Sequence, residues 1–353
     1  MPPKGVLLLN LGTPDHCNRY SIKRYLKEFL MDPLVVDIPF LLRYLLVQGF
    51  ILPIRSQKTT QAYEKIWTPQ GSPLLVNSLA QQQALSEKLG DGYRVELGMR
   101  YGNPSIASAV EKLKSCCDIS IIPLFPQYSV AATESALQKA YSCIQQQSFS
   151  TVRILKHFYN DPNYIASLCE KIKSTLHNRT IDCLLFSYHG LPERQIKKRG
   201  CPLCPSNQKC PTNKLRTDFC YRAQCYATSE LIANTLALTP NDYSIGFQSR
   251  LGKTPWIQPY TDEVLIELAQ QGKKYLAIVS PSFVSDCLET LEEINLGLRS
   301  QWLSLGGKSF TYIPCLNTDP HWIDALSVLA TQKTTISAPD HNLSLSPILI
   351  ENE

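Results

Sequence analysis

At 353 residues, 44% hydrophobic and 18% charged, the chain is too long for one ordinary core and too apolar for disorder, which predicts a folded protein of two domains. Its net charge of +5 suits anionic small molecules or a membrane surface and argues against a dedicated nucleic-acid binder. Thirteen cysteines, an odd number behind a start "MPPKGVLLLNLG" without a cleavage site, argue against a secreted disulfide framework and for reduced thiols with a metal site in the cytosol.

In chain order, "GVLLLNL" (5–11) reads as a strand buried on both faces. The apolar stretch "FLLRYLLVQGFILPI" (40–54) is too short to span a bilayer and carries Arg43, so it is expected to line a pocket or lie against a membrane face. Further strands are expected at 93–99, 119–125, 151–158, 182–188, 243–249, 274–280 and 310–315, and helices at 78–89, 106–116, 134–147, 164–176 and 227–238. This alternation predicts an α/β fold of two doubly wound halves with parallel sheets, divided near 126–133. A last helix at 321–332 is expected to pack back on one half, and 333–353 read as a loosely held tail. No strand leads into GxGxxG, and "GGKS" (306–309) has Trp302 where a phosphate loop needs its first glycine, so no nucleotide is expected.

Ligands of such folds bind beyond the carboxyl ends of the strands. There, "LLFSYHG" ends on His189 and Gly190, a position suited to a proton acceptor or metal ligand and equally to a turn histidine. In "SFVSDCLETLEEI", Asp286, Glu289 and Glu293 fall on one helical face. Asp286 and Glu289 also fit an N-cap and its capping-box partner, whereas Glu293 is left over as a step in a proton or cation path. The long segment "FQSRLGKTPWIQPYTD" presents Trp256 for stacking on a planar ligand. Arg55, Lys58, Tyr63 and Ser72 follow the apolar stretch, and Arg100 and Tyr101 follow the second strand, where they suit ligand carboxylates.

"NLGTP", "MRYGNPSI", "PLFPQYS", "FSYHGLPER", "FQSRLGKTPWIQPYTD" and "PSFVSDCLETLEEI", in this order over about residues 4–315, resemble the ferrochelatase family. The resemblance implies two similar Rossmann-like domains with the active-site cleft between them, expected as 1–131 plus 319–353 and 132–318. It also implies insertion of Fe²⁺, a substrate, into protoporphyrin IX with loss of two pyrrole protons. His189 matches the active-site histidine, Glu289 the carboxylate opposite, and Asp286 and Glu293 the acidic row; whether His189 is base or metal ligand stays open. The 40–54 segment resembles the lip over the porphyrin, with membrane contact open, and Leu11, Arg55, Lys58, Tyr63, Ser72, Arg100, Tyr101, Tyr128 and Trp256 fall at pocket positions. Leu11 before "GTP" looks more like protoporphyrin enzymes than coproporphyrin III enzymes, which commonly have tyrosine there. Two other readings stand beside this one. One is another tetrapyrrole chelatase, which would bring a second histidine into the cleft; the other is a zinc ribbon on nucleic acid.

Cys201, Cys204, Cys210, Cys220 and Cys225 give C-x₂-C-x₅-C-x₉-C-x₄-C, irregular for zinc, within an insert at 200–226 that has Arg194, Lys197, Lys198, Arg199, Lys209 and Arg222 in or near it. The insert resembles that of bacterial ferrochelatases holding a [2Fe–2S] cluster, which implies a cluster on four of the five. Oligomeric state has no signature in the sequence.

Overall fold

The computed structural model describes residues 2–198, 220–252 and 254–332. All eight expected strands form: β1 (Lys4–Thr13), β2 (Tyr93–Gly102), β3 (Asp118–Pro123), β4 (Thr151–Ile154), β5 (Cys183–His189), β6 (Tyr243–Gln248), β7 (Tyr275–Val279) and β8 (Ser309–Tyr312). They make two four-stranded parallel sheets ordered β2-β1-β3-β4 and β6-β5-β7-β8. β4 pairs with β3, so the break between the sheets falls after residue 154, not in the expected stretch 126–133. The sequence does not mark this boundary, because the four half-buried residues of β4 carry too little periodicity to assign it to either half.

The helices are α1 (Arg19–Leu30), α2 (Phe40–Leu45), α3 (Leu52–Glu64), α4 (Pro73–Leu89), α5 (Ile106–Lys112), α6 (Ser135–Ile144), α7 (Pro162–Leu176), α8 (Glu193–Lys197), α9 (Tyr221–Thr235), α10 (Thr261–Gln270), α11 (Arg299–Ser304) and α12 (Pro320–Thr331). Three π-helical segments, Leu46–Ile51, Val130–Glu134 and Glu289–Leu298, join or extend them. Asp161 and Asp319 cap α7 and α12 by accepting from backbone N–H groups two residues on, with proline next in each case.

The strand pattern explains the layers. Val6 and Leu8 of β1 and Leu184, Phe186 and Tyr188 of β5 point into one continuous core shared by both sheets. Leu7 and Leu9 pack under α5 and α6, while Cys183 and Leu185 pack under α10 and the third π-helical segment. The chain exchanges helices between its halves: α7, which follows β4, packs on α9, and α12, which follows β8, packs on α4 and β3.

The lip is helical throughout, and its polarity is inverted. Phe40, Leu41, Leu42, Leu45, Phe50 and Ile54 are exposed, whereas Arg43 is buried and donates to the carbonyls of Val36 and Ile38 at 3.0 and 3.1 Å. No helix among the described residues is long and apolar enough to cross a membrane.

Candidate active site

The halves repeat in register. Val6 pairs with Val95 and Asn10 with Met99; Leu184 pairs with Tyr243 and Tyr188 with Phe247. In both, the N–H of the second strand reaches forward to a proline carbonyl, Met99 to Pro104 at 2.7 Å and Phe247 to Pro259 at 2.8 Å. This superposition puts Leu11 where the second half has His189, and Gly12 where it has Gly190. The strand-to-proline spacing is longer in the second half, and the extra residues carry Trp256.

His189 ends β5 half-buried. Its Nδ1 lies 2.6 Å from the carbonyl oxygen of Gly190. A carbonyl only accepts, so Nδ1 carries the proton, and the neutral ring offers its lone pair at Nε2. The main chain is pinned on both sides: His189 N–H donates to Ser282 Oγ at 3.2 Å, and its carbonyl accepts from the Tyr221 hydroxyl at 2.8 Å. Gly190 cannot be replaced without a collision, because a Cβ there would meet the Gln248 carbonyl at 2.8 Å and the Trp256 ring at 3.2 Å. That close approach sets the Trp256 and His189 rings side by side, centroids 6.5 Å apart, with Phe283 6.2 Å away. Trp256 Nε1 donates to Leu251, which fixes the indole within its loop.

Glu289 opens the third π-helical segment, and Glu293 lies one turn on. Ser249 grips the Glu293 carboxylate with its N–H at 2.8 Å and with its hydroxyl, from a left-handed backbone at φ 65°. Gln248 Nε2 donates to the Glu289 carbonyl at 3.2 Å and to Glu293 at 3.4 Å, while its own Oε1 accepts from Ser187. Burial pushes the Glu293 carboxyl up; the Ser249 hydrogen bonds and, when its ring is protonated, the charge of His189 pull it down, and Glu289 adds to the rise. Glu289 is felt widely across the cleft. After burial, its charge raises Tyr63 and the Cys287 thiol, to which it is hydrogen-bonded, and it supports the Arg55 guanidinium against the lowering that burial causes.

Asp286 differs from its two companions. The helix begins after it, and the capping box with Glu289 does not form; Cys287 N–H donates instead to Thr290 Oγ1. The Asp286 carboxylate is buried and accepts from Thr290 Oγ1, the Tyr312 hydroxyl, Cys315 N–H and, at 2.7 Å, Asn317 Nδ2.

The expected pocket residues separate into four groups. Arg55 and Tyr63 lie within reach of the Glu289 charge and Trp256 lies beside His189, with Tyr63 buried and accepting from Thr13, whose hydroxyl also donates to Ser72 at 2.7 Å, while Leu11 is half-buried in β1. Lys58 is exposed on α3. Arg100 and Tyr101 are committed elsewhere: both bond Asp32, at 2.5 and 2.8 Å, and Arg100 also bonds Ser135. Tyr128 is buried, its hydroxyl on Glu134 and its N–H on Gln224, and it lines a small pocket with Leu191, Gln195, Ile196 and Tyr221. Sequence reasoning passed over Ser249, Gln248, Ser282, Tyr221 and Asp32. Ser249 and Gln248 stand inside "FQSRLGKTPWIQPYTD", but only the positive φ and the facing helix reveal what they hold.

Of the five clustered cysteines, Cys201, Cys204 and Cys210 lie outside the described residues. Cys220 is at the N-cap of α9 and Cys225 within its first turns, both buried. Among the described residues no group of three or more His, Cys, Asp or Glu side chains is placed to hold a metal ion.

A family model described as ferrochelatase matches residues 3–334. Curated proteins named ferrochelatase from Legionella pneumophila (strain Lens) are 48% identical over 332 residues, covering 94% of this chain and 99% of theirs. One from Coxiella burnetii is 47% identical over 330 residues, covering 92% of each chain. Among solved structures, SirB from Bacillus subtilis with Fe³⁺ superposes at a TM-score of 0.53 with 10% identity, covering 93% of this chain and 96% of that one. The sirohydrochlorin chelatase SirB in complex with cobalt, from Bacillus subtilis subspecies spizizenii, gives 0.51 with 11% identity, covering 93% and 95%. At such identity these two share the fold.

Proposed function

The chain belongs to the ferrochelatase family, metal chelatases that insert iron in heme biosynthesis, and we propose that its macrocycle is protoporphyrin IX and that His189 and Glu289 carry the reaction. The observation that carries this reading is the fixed tautomer of His189. Metallation requires two pyrrole N–H protons to leave. With Nδ1 committed to the Gly190 carbonyl, Nε2 is the acceptor for a proton from a macrocycle lying against Trp256. Glu289 and Glu293, on one helix face beside it, pass protons outward or guide the divalent cation inward. Contact with the rest of the flat ligand supplies the free energy to bend it toward the base.

Leu11 supports protoporphyrin. It occupies the first-half counterpart of His189 and keeps that wall apolar, which suits vinyl substituents better than the extra carboxylates of coproporphyrin III. The position also supplies no second histidine, the feature that another tetrapyrrole chelatase would bring. Arg55 and Lys58 are the cations offered to the propionates; Arg100 and Tyr101 are held by Asp32 instead. An anaerobic assay with Fe²⁺ and each porphyrin tests the reading. Metalloporphyrin is expected faster from protoporphyrin IX, and His189→Ala and Glu289→Ala are expected to lose at least about 100-fold in kcat. Faster turnover of coproporphyrin III would overturn the substrate, and normal iron insertion by His189→Ala would overturn the site.

A [2Fe–2S] cluster on four of the five clustered cysteines is the second part of the proposal. The donors described fit it. Cys220 and Cys225 stand at a helix N-terminus beside the buried Arg222, a setting that favours thiolates. Burial in turn pushes the Cys225 thiol up, so a bound metal is what keeps that sulfur ionised. A cluster there supplies a one-electron centre, and iron insertion uses none. Red-brown colour with visible absorbance supports it; a colourless zinc protein does not. The exposed lip, which has no acidic residue between 38 and 63, is proposed to rest on an anionic membrane surface.

A further inference from the structure

Of the six residues of α2 only Arg43 is buried; the other five are exposed. This part of the lip is therefore fastened by hydrogen bonds and not by packing, because Arg43 donates to the carbonyls of Val36 and Ile38 in the segment just before it. The segment 32–38 is in turn tied at both ends. At its start Asp32 is buried, and its carboxylate accepts from Arg100, Tyr101 and Ser135 of the first half and from the Leu34 N–H at 2.8 Å. Near its other end Asp37 meets α8 of the second half. Arg194 Nη2 lies 2.6 Å from one Asp37 oxygen, and Lys198 Nζ donates to the other at 2.6 Å. Gln195, on the same helix, donates to the Val35 carbonyl at 3.2 Å. The approach to α8 is joined to the loop of Trp256: Ile257 N–H donates to Leu191 at 2.9 Å, and Glu193 N–H to Pro255 at 3.0 Å. Asp37 thus connects the lip to the wall that carries His189 and Trp256.

The two ends differ in strength. Asp32 satisfies its donors in the interior, where removal of one partner strands the others. The cations on Asp37 are 42% and 65% exposed, so those ion pairs are screened by salt and easily broken. We propose that residues 32–38 form a strap with a fixed root at Asp32 and a releasable latch at Asp37, and that pairing of Asp37 with Arg194 and Lys198 holds the lip over the cleft. Passage of a flat macrocycle breaks the two exposed pairs and leaves the root intact. The inference rests on the porphyrin site lying behind the lip.

Asp37→Asn keeps the shape of the side chain and removes its charge. Release of protoporphyrin IX from a preformed complex, followed by its fluorescence, is expected to quicken about fivefold in Asp37→Asn and in the pair Arg194→Gln with Lys198→Gln. All three changes together are expected to add nothing further. Raising salt from about 0.05 M to about 0.5 M is expected to speed release from the parent and to leave Asp37→Asn nearly unchanged. The readout that needs no ligand is amide hydrogen exchange over residues 40–51, expected to quicken in the same variants while Tm stays within about 2 °C. Release and lip exchange unchanged in Asp37→Asn, or effects of the acid and the two bases that simply add, would overturn the latch. A loss of Tm above about 5 °C in Asp37→Asn would also overturn it, making the pairs a general stability contact. If lip exchange quickens as expected but the parent binds no protoporphyrin IX, the latch stands and the porphyrin site behind the lip falls.

Discussion

Glu293 takes a backbone N–H and a hydroxyl from one residue, Ser249, and that residue must sit at φ 65° to deliver both. A serine in the left-handed region costs free energy, which here goes into holding a partly desolvated carboxylate. Burial leads the upward push on the Glu293 carboxyl, so the folded state binds its proton more readily than the unfolded chain does. This group therefore lowers stability as pH rises through and above the ordinary carboxylate range, and its penalty is absent in acid. Glu293→Gln is expected to raise Tm at pH 7.5 by about 2 °C, with the gain vanishing below the ordinary glutamate range, as iron insertion slows. A variant that melts lower than the parent at pH 7.5 would show that the Ser249 contacts outweigh burial. Asp286 predicts the opposite. Its carboxylate satisfies four donors in the interior, so Asp286→Asn is expected to cost about 2–3 kcal/mol in urea unfolding. In sequence the three acids looked like one row. Spacing shows which residues share a face, but the partners that distinguish Asp286, namely Tyr312, Cys315 and Asn317, come from beyond the next helix, at and after β8.

At the scale of elements, the lip shows why the 40–54 segment could be found but not oriented. Its apolar run was plain, and Arg43 argued only against a bilayer span. The guanidinium instead turns inward to the Val36 and Ile38 carbonyls at the base of the lip, and the large apolar side chains turn out. Gly49 and Pro53 do not end the helix, because a π-helical segment absorbs the first and the second falls in the first turn of α3. An exposed apolar surface of this kind marks a ligand or membrane contact. Phe40→Glu with Phe50→Glu is expected to abolish co-sedimentation with anionic vesicles while leaving Tm within about 1 °C, since both rings are mostly exposed, 65% and 68%. Unchanged sedimentation would remove the membrane role and leave the lip to the porphyrin alone.

At the scale of the whole molecule, the two parallel sheets were legible because buried strands read as apolar runs separated by helices. What lay hidden was how the halves interlock. Sequence shows a helix at 321–332, and the resemblance assigns it to the first half and α7 to the second; what neither marks is the set of side chains through which α12 and α7 interlock. Trp322 of α12 is fully buried and stacks on Phe158 at 5.6 Å, beside Tyr164 of α7. The core containing these rings takes side chains from both sheets, so neither sheet can lose its inner layer without exposing the other's. Chains of this length often unfold domain by domain. Here the exchanged helices are expected to give one calorimetric transition for both halves. Trp322→Ala is expected to shift that transition down as a unit, at a cost of about 3–5 kcal/mol. Two resolved transitions, only one of them moved by Trp322→Ala, would mean that each half holds its core alone and that the exchange adds little to stability.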